Sequence, residues 1–258
     1  MIDAVILAGG LGTRLSEETV LKPKPMVEIG GLPMIHHVMD IYARQGFSRF
    51  TVCLGYLGAS IKRYFHDVVS FGEDMTVELA SGAISRTPGP AGSPLSWTVN
   101  LVDTGLHTMT GGRIKRVSSW LQSDRFLLTY GDGVADIDLQ ALLAFHDQHG
   151  KLATITAVRP PARFGALELD GDVIRSFAEK PQLGEGWING GFMVLDKRVL
   201  ARIEGDDTVL ERDVLSRLAA DGELRAFRHE GFWQCMDTLR DVRTLQALWD
   251  GGSPPWRR

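Results

Sequence analysis

Short runs of β-branched and aromatic residues alternate along this chain with stretches whose apolar residues recur every three or four positions, and that alternation restricts the fold more than any other feature. Runs at 4–7, 50–54, 97–102, 126–130 and 153–158 are bounded by Gly, Asp or Pro and read as buried strands. Between them, Met34, Val38, Ile41 and Tyr42 share a helical face, as do Ile61, Tyr64, Phe65 and Val68. Leu139, Leu142, Leu143 and Phe145 mark a third helix ending at His149. Strands separated by helices cannot join as hairpins, so they lie parallel, with right-handed crossovers and helices on both faces.

After Arg163 the pattern changes. Runs at 166–169 and 173–179 flank Asp170-Gly171, a hairpin-turn signal that makes the sheet mixed. A further strand is expected at 187–195, and helices near 198–203, 210–220 and 239–249. The expectation is an α/β fold, a Rossmann-like three-layer αβα sandwich around a predominantly parallel mixed central sheet. It forms one domain over 1–258, with no linker and no internal repeat. Residues 81–96 concentrate Gly, Pro and Ser and predict a long exposed loop.

Composition excludes several classes of function. A chain of 258 residues can bury roughly 73% of its unfolded surface, enough for one large core. Twenty-eight Lys and Arg against 32 Asp and Glu give a net charge of -4 with no block of like charge, which argues against a nucleic-acid binder. Cys53 and Cys235 match no metal spacing and make no disulfide framework, as expected of a reducing, cytoplasmic compartment. No apolar run approaches a membrane span, and no basic segment precedes a long apolar stretch at the N-terminus.

In parallel sheets of this kind ligands bind beyond the carboxyl ends of the strands. The first strand runs directly into Gly9-Gly10-Leu11-Gly12-Thr13-Arg14, where glycines let backbone N–H groups approach anionic oxygens and a guanidinium matches phosphate. A plain strand-to-helix turn is the simpler reading of the glycines alone. Neither a P-loop nor a dinucleotide fingerprint fits, because no Lys-Ser or Lys-Thr follows the last glycine and Leu15 stands where a small residue is required. Lys22-Pro23-Lys24-Pro25 would hold two ammonium groups on a stiff extended segment near that turn, or be a solvated basic loop. Asp132, in Tyr130-Gly131-Asp132-Gly133, ends another parallel strand and suits a hard cation bound to phosphates, or stabilises a turn. Asp237 precedes a helix, where an aspartate is more often a cap than a ligand. His146 and His149 stand three apart on a helix; a solvated pair is the simpler reading than a shared metal.

The string Ala4-Val5-Ile6-Leu7-Ala8-Gly9-Gly10-Leu11-Gly12-Thr13-Arg14-Leu15, with Lys22-Pro23-Lys24-Pro25-Met26, resembles the signature of the sugar-1-phosphate nucleotidylyltransferases. Asp103-Thr104-Gly105, Met109-Thr110-Gly111-Gly112-Arg113, Arg163-Phe164-Gly165-Ala166-Leu167, Ile188-Asn189-Gly190-Gly191-Phe192 and Met236-Asp237-Thr238-Leu239-Arg240-Asp241 resemble the cytidylyl branch of that family. The resemblance covers nearly the whole chain; the 81–96 segment aligns with nothing, and Cys235 stands where a different residue is expected. It implies a nucleotidyltransferase fold of GT-A-like form and the reaction of CTP with glucose 1-phosphate to give CDP-glucose and pyrophosphate, with Mg²⁺. It places the nucleotide over Leu7, Ala8, Gly9, Gly10, Leu11, Gly12, Thr13 and Arg14, with Lys24 and Gly131 beside the phosphates and Thr108 and Arg113 toward the nucleotide. It maps the metal to Asp132 and Asp237 and the sugar phosphate to Glu179, Lys180, Asn189 and Gly190. Arg14, Lys24, Asp132 and Asp237 form the implied catalytic set. A homo-oligomer supplying CDP-glucose to surface polysaccharides such as O-antigen is also implied.

Because Arg113 can only donate, it would suit cytosine's acceptor edge if it reached it. The competing readings are uridylyl or thymidylyl transfer, a nucleotide-sugar glycosyltransferase using Asp136-Ile137-Asp138, and a silent sugar-nucleotide sensor.

Overall fold

The computed structural model describes residues 2–12, 15, 21–87, 95–160, 166–170, 173–178 and 186–257. In chain order the strands are β1 (Ala4–Ala8), β2 (Glu28–Ile29), β3 (Leu32–Pro33), β4 (Arg49–Leu54), β5 (Asp74–Glu78), β6 (Ala83–Thr87), β7 (Thr98–Asp103) and β8 (Arg125–Tyr130). They continue with β9 (Gly133–Ala135), β10 (Ala153–Val158), β11 (Ala166–Asp170), β12 (Val173–Ala178), β13 (Ile188–Asp196), β14 (Leu224–His229) and β15 (Trp233–Cys235). The α-helices are α1 (Met34–Ala43), α2 (Gly58–Phe71), α3 (Thr110–Arg116), α4 (Leu139–His149), α5 (Ser216–Ala220) and α6 (Leu239–Asp250).

The central sheet has the order β14-β10-β13-β8-β1-β4-β7. β1 pairs in parallel with both β4 and β8, and β4 with β7, while β13 runs antiparallel to its neighbours β8 and β10. The sheet is mixed and mostly parallel as expected, but β13 is its antiparallel member, and the expected hairpin β11–β12 forms a separate two-stranded sheet. Its first strand shows why the run is continuously apolar: Ala4, Ile6 and Ala8 enter one core, with Tyr42, Phe50 and Phe192, while Val5 and Leu7 enter the other, with Cys53 and Phe126. A strand covered on both faces has no solvent side on which to carry polar residues. Among the described residues no helix is long and apolar enough to cross a membrane.

Three local expectations change. The 81–96 segment begins not as loop but as β6, paired antiparallel with β5 across the turn at Gly82, whose φ is +72°; residues 88–94 lie outside the described residues. Lys24–Met26 is a 3₁₀ turn rather than extended chain, and the two lysines part company, Lys22 pairing with Glu28 at 3.7 Å while Lys24 turns inward. His146 is buried rather than solvated, and both His146 Nδ1 and His149 Nε2 meet Thr154 Oγ1, at 2.9 and 2.7 Å.

Candidate active site

The carboxyl ends of β1 and β8 open onto a cavity of about 370 Å³, lined by Leu7, Ala8, Gly9, Gly10 and Gly12 from the glycine turn and by Lys24, Thr108, Thr110, Arg113, Tyr130, Gly131, Asp132 and Asp237. A second cavity of about 470 Å³ shares Tyr130, Asp132 and Asp237 with the first and adds Asn189, Gly190, Trp233 and Cys235. Both volumes suit small-molecule ligands. Leu11 does not line either cavity and is largely exposed. Thr13, Arg14, Glu179 and Lys180 lie outside the described residues.

At the boundary of the two cavities Lys24 Nζ donates to Asp132 Oδ2 at 2.6 Å and to Asp237 Oδ1 at 2.5 Å. Three elements produce this meeting. Pro25 packs against Gly131, where a Cβ would come to 3.1 Å from its ring, so the 3₁₀ turn brings Lys24 alongside Asp132. The β9–β15 ribbon then places the chain around Asp237 opposite Asp132, with Gly133 paired to Cys235 and the Met236 N–H donating to the Asp132 carbonyl at 2.9 Å. The cap of α6 is Thr238, in a reciprocal capping box with Asp241, so Asp237 is relieved of that role and its carboxylate faces the cavity. Burial acts to lower the Lys24 pKa, but Asp132 and Asp237 together outweigh it and leave the ammonium harder to deprotonate than an ordinary lysine.

Lys24 offsets only one of two carboxylate charges, so the trio is net negative and would not by itself attract a triphosphate. Two hard oxygen donors on one spot, with room for phosphates and waters, are what Mg²⁺ takes in phosphoryl-transfer sites. Among the described residues no group of three or more His, Cys, Asp and Glu could hold an ion alone, so a cation here would share its coordination with substrate. Cys235 Sγ lies 3.5 Å from Asp237 Oδ2. Burial first, then the nearby carboxylates, push its thiol up to about 12, so it stays protonated at neutral pH.

Arg113 lines the first cavity, but its terminal nitrogens are taken up by the protein itself. Nη1 donates to the Leu54 carbonyl at 2.9 Å, Thr104 Oγ1 at 2.7 Å and the Gly105 carbonyl at 2.8 Å; Nη2 donates to the carbonyls of Gly9 at 3.0 Å and Leu106 at 3.3 Å. A Cβ on Gly9 would stand 2.9 Å from Arg113 Nε and closer still to its Cζ and Nη1, so glycine is required there for this clamp. Arg113 thus ties the glycine turn to the end of β4, with both terminal nitrogens occupied by protein acceptors.

Asn189 lines the second cavity, its Oδ1 accepting from the Gly191 N–H at 2.9 Å, and Gly190 accepts from Trp233 Nε1 at 2.7 Å. Asp136 pairs with His229 at 3.0 Å and Asp138 caps α4; neither lines the two cavities, which removes support for an Asp-X-Asp glycosyltransferase centre. Sequence reasoning gave no role to Tyr130, Thr110 or Glu211. Tyr130 OH and Thr110 Oγ1 both donate to the Glu211 carboxylate.

Residues 3–253 match the model of the nucleotidyl transferase family, and the chain belongs to that family. It is 51% identical over 260 aligned residues to a glucose-1-phosphate cytidylyltransferase of Salmonella typhi, covering 99% of each chain, and 38% identical to a probable glucose-1-phosphate cytidylyltransferase of Bacillus subtilis over 99% of each. Among solved structures it resembles HddC from Yersinia pseudotuberculosis complexed with GMP-PN, at a TM-score of 0.67 and 26% identity, covering 96% of this chain and all of that one.

Proposed function

We propose that this chain transfers the cytidylyl group of CTP to glucose 1-phosphate, giving CDP-glucose and pyrophosphate. The observation that carries the reading is the meeting of Lys24, Asp132 and Asp237 at the boundary of two adjoining cavities; full-length likeness to curated cytidylyltransferases of glucose 1-phosphate supports the choice of substrates. The cavity over the glycine turn takes CTP and the cavity at Asn189 takes the sugar phosphate, so that the two phosphates face one another beside Asp132 and Asp237.

The sugar phosphate is already a nucleophile and pyrophosphate a good leaving group, so positioning and charge control are what remain for the protein to supply. Two unit charges about 5 Å apart repel by roughly 3 kcal/mol at an effective dielectric near 20. Lys24 answers part of that repulsion, a task to which family resemblance adds Arg14 and Lys180. Asp132 and Asp237 would hold Mg²⁺, which when bound supplies charge stabilisation at the α-phosphate. Attack is in line, the phosphate oxygen of glucose 1-phosphate displacing pyrophosphate from the α-phosphorus. The enzyme works in the cytoplasm, in keeping with its unpaired cysteine usage, and family resemblance makes it a homo-oligomer that supplies surface-polysaccharide synthesis.

A pyrophosphate-release panel of four nucleotides against several sugar 1-phosphates, with and without Mg²⁺, tests the reading. CTP with glucose 1-phosphate and Mg²⁺ is expected to be the best combination. A clear preference for UTP or dTTP, or sugar transfer without pyrophosphate release, would overturn it.

A further inference from the structure

Thr110 opens α3 at the wall of the nucleotide-side cavity, and the segment that follows Asp206 is stitched to it. Met109 N–H donates to the Asp206 carbonyl at 2.8 Å and Gly111 N–H to the Thr208 carbonyl at 2.9 Å. Two hydrogen bonds then settle the direction of the Thr110 hydroxyl. The N–H of Leu210, at the start of a helical turn where no preceding carbonyl can take it, donates to Thr110 Oγ1 at 2.8 Å. Thr110 Oγ1 lies 2.8 Å from Glu211 Oε2, and a carboxylate only accepts, so the hydroxyl hydrogen is spent on Glu211. What Thr110 has left is a lone pair. Glu211 is itself held from the other side by Tyr130 OH, and it stands on the single π-helical turn Leu210–Leu215, a geometry frequent at functional positions. Arg113, the cavity's obvious donor, has its terminal nitrogens committed to main-chain carbonyls and Thr104.

We infer that Glu211 is a specificity-positioning residue: it fixes the Thr110 hydroxyl as an acceptor toward the nucleotide, so the site takes a pyrimidine that donates at its 4-position and disfavours one that accepts there. Cytosine carries an amino group at that position; uracil and thymine carry a carbonyl oxygen. An acceptor facing a carbonyl leaves both groups unpaired, which costs the wrong pyrimidine affinity. The inference rests on the cytidylyl reading and assigns the cytosine preference to a particular pair of residues.

The test is the ratio of kcat/KM for CTP to that for UTP, together with calorimetric Kd values for the two nucleotides. Thr110→Val removes the acceptor and should lower the CTP-to-UTP ratio roughly 10-fold, whereas Thr110→Ser keeps it. Asn189 Nδ2 approaches Tyr130 OH at 3.5 Å, so the amide of Glu211→Gln turns its oxygen to Tyr130 and its NH₂ to Thr110, and Thr110 then offers its hydrogen to the cavity. That variant should also lose preference, by gaining UTP as well as losing CTP, which mere loosening of the fold would not produce. A wild-type ratio in Thr110→Val overturns the proposal, and a wild-type ratio in Glu211→Gln overturns the part given to Glu211. If Thr110→Val does not fold, Glu211→Gln decides alone. An enzyme that used UTP as readily as CTP before any substitution would instead defeat the cytidylyl reading itself.

Discussion

The backbone N–H of Met236 donates to the carbonyl of Asp132 at 2.9 Å, and through that one bond two carboxylates from distant parts of the chain come to share Lys24. The relationship is a matter of strand register. Cys235 lies opposite Gly133 and Trp233 opposite Ala135, so a slip of one residue in this ribbon would turn Asp237 away from the cavity.

Asp132→Asn and Asp237→Asn should each lower kcat by about 10² or more, by analogy with removing one preorganised electrostatic group. Both amides remain able to pack as the acids do, so circular dichroism should be unchanged. Near-normal turnover in either variant would exclude that residue from the centre.

Lys24→Gln removes the ammonium that Asp132 and Asp237 share. The apo variant should therefore melt below wild type, and Mg²⁺ should raise its Tm by more than it raises that of wild type, since an added ion replaces the lost charge. Equal Mg²⁺ shifts in the two proteins, by differential scanning fluorimetry, would contradict the proposed placement of the ion.

Arg113→Lys removes a fork of donors that spans four carbonyls and the Thr104 hydroxyl. It should cost about 1–3 kcal/mol by urea unfolding, because a lysine ammonium cannot reach all five acceptors and leaves buried carbonyls unpaired. Turnover should fall alike with CTP and UTP. A selective loss of CTP would return Arg113 to the base edge.

Burial first, then the neighbouring His149, hold His146 down to about 4, against an ordinary value near 6.5. Above pH 6.5 both folded and unfolded chains carry it neutral. As pH falls from 6.5 toward 4 the unfolded chain takes up the proton first, so stability declines across that window and levels off, for this group, below it. A Tm series from pH 8 to pH 4 should show a shallower decline in His146→Asn than in wild type; parallel curves would reject the assignment.

The architecture was legible because the inner strands are apolar on both faces and the long helices carry one apolar stripe: Ala4–Ala8 and Met34–Ala43 needed no tertiary information, whereas the edge strand Leu224–His229, carrying Arg225 and Arg228, showed no such run. The 3-residue strands Gly133–Ala135 and Trp233–Cys235 are too short to show a period, yet they are what juxtaposes Asp132 and Asp237. Family resemblance paired those aspartates where spacing could not. Glu211 reads as the polar side of an amphipathic stretch, and nothing local marks that its carboxylate ties Thr110 to Tyr130. Arg113 was legible as a donor but not as a spent one, because the carbonyls it meets come from Gly9, just past β1, and from Leu54 at the end of β4.

The most direct check of the account is a paired measurement of CDP-glucose formed and pyrophosphate released from CTP and glucose 1-phosphate, in Mg²⁺ and in EDTA. One pyrophosphate for each CDP-glucose is expected in Mg²⁺, and none of either in EDTA. Undiminished turnover in EDTA, or pyrophosphate released without CDP-glucose, would contradict it.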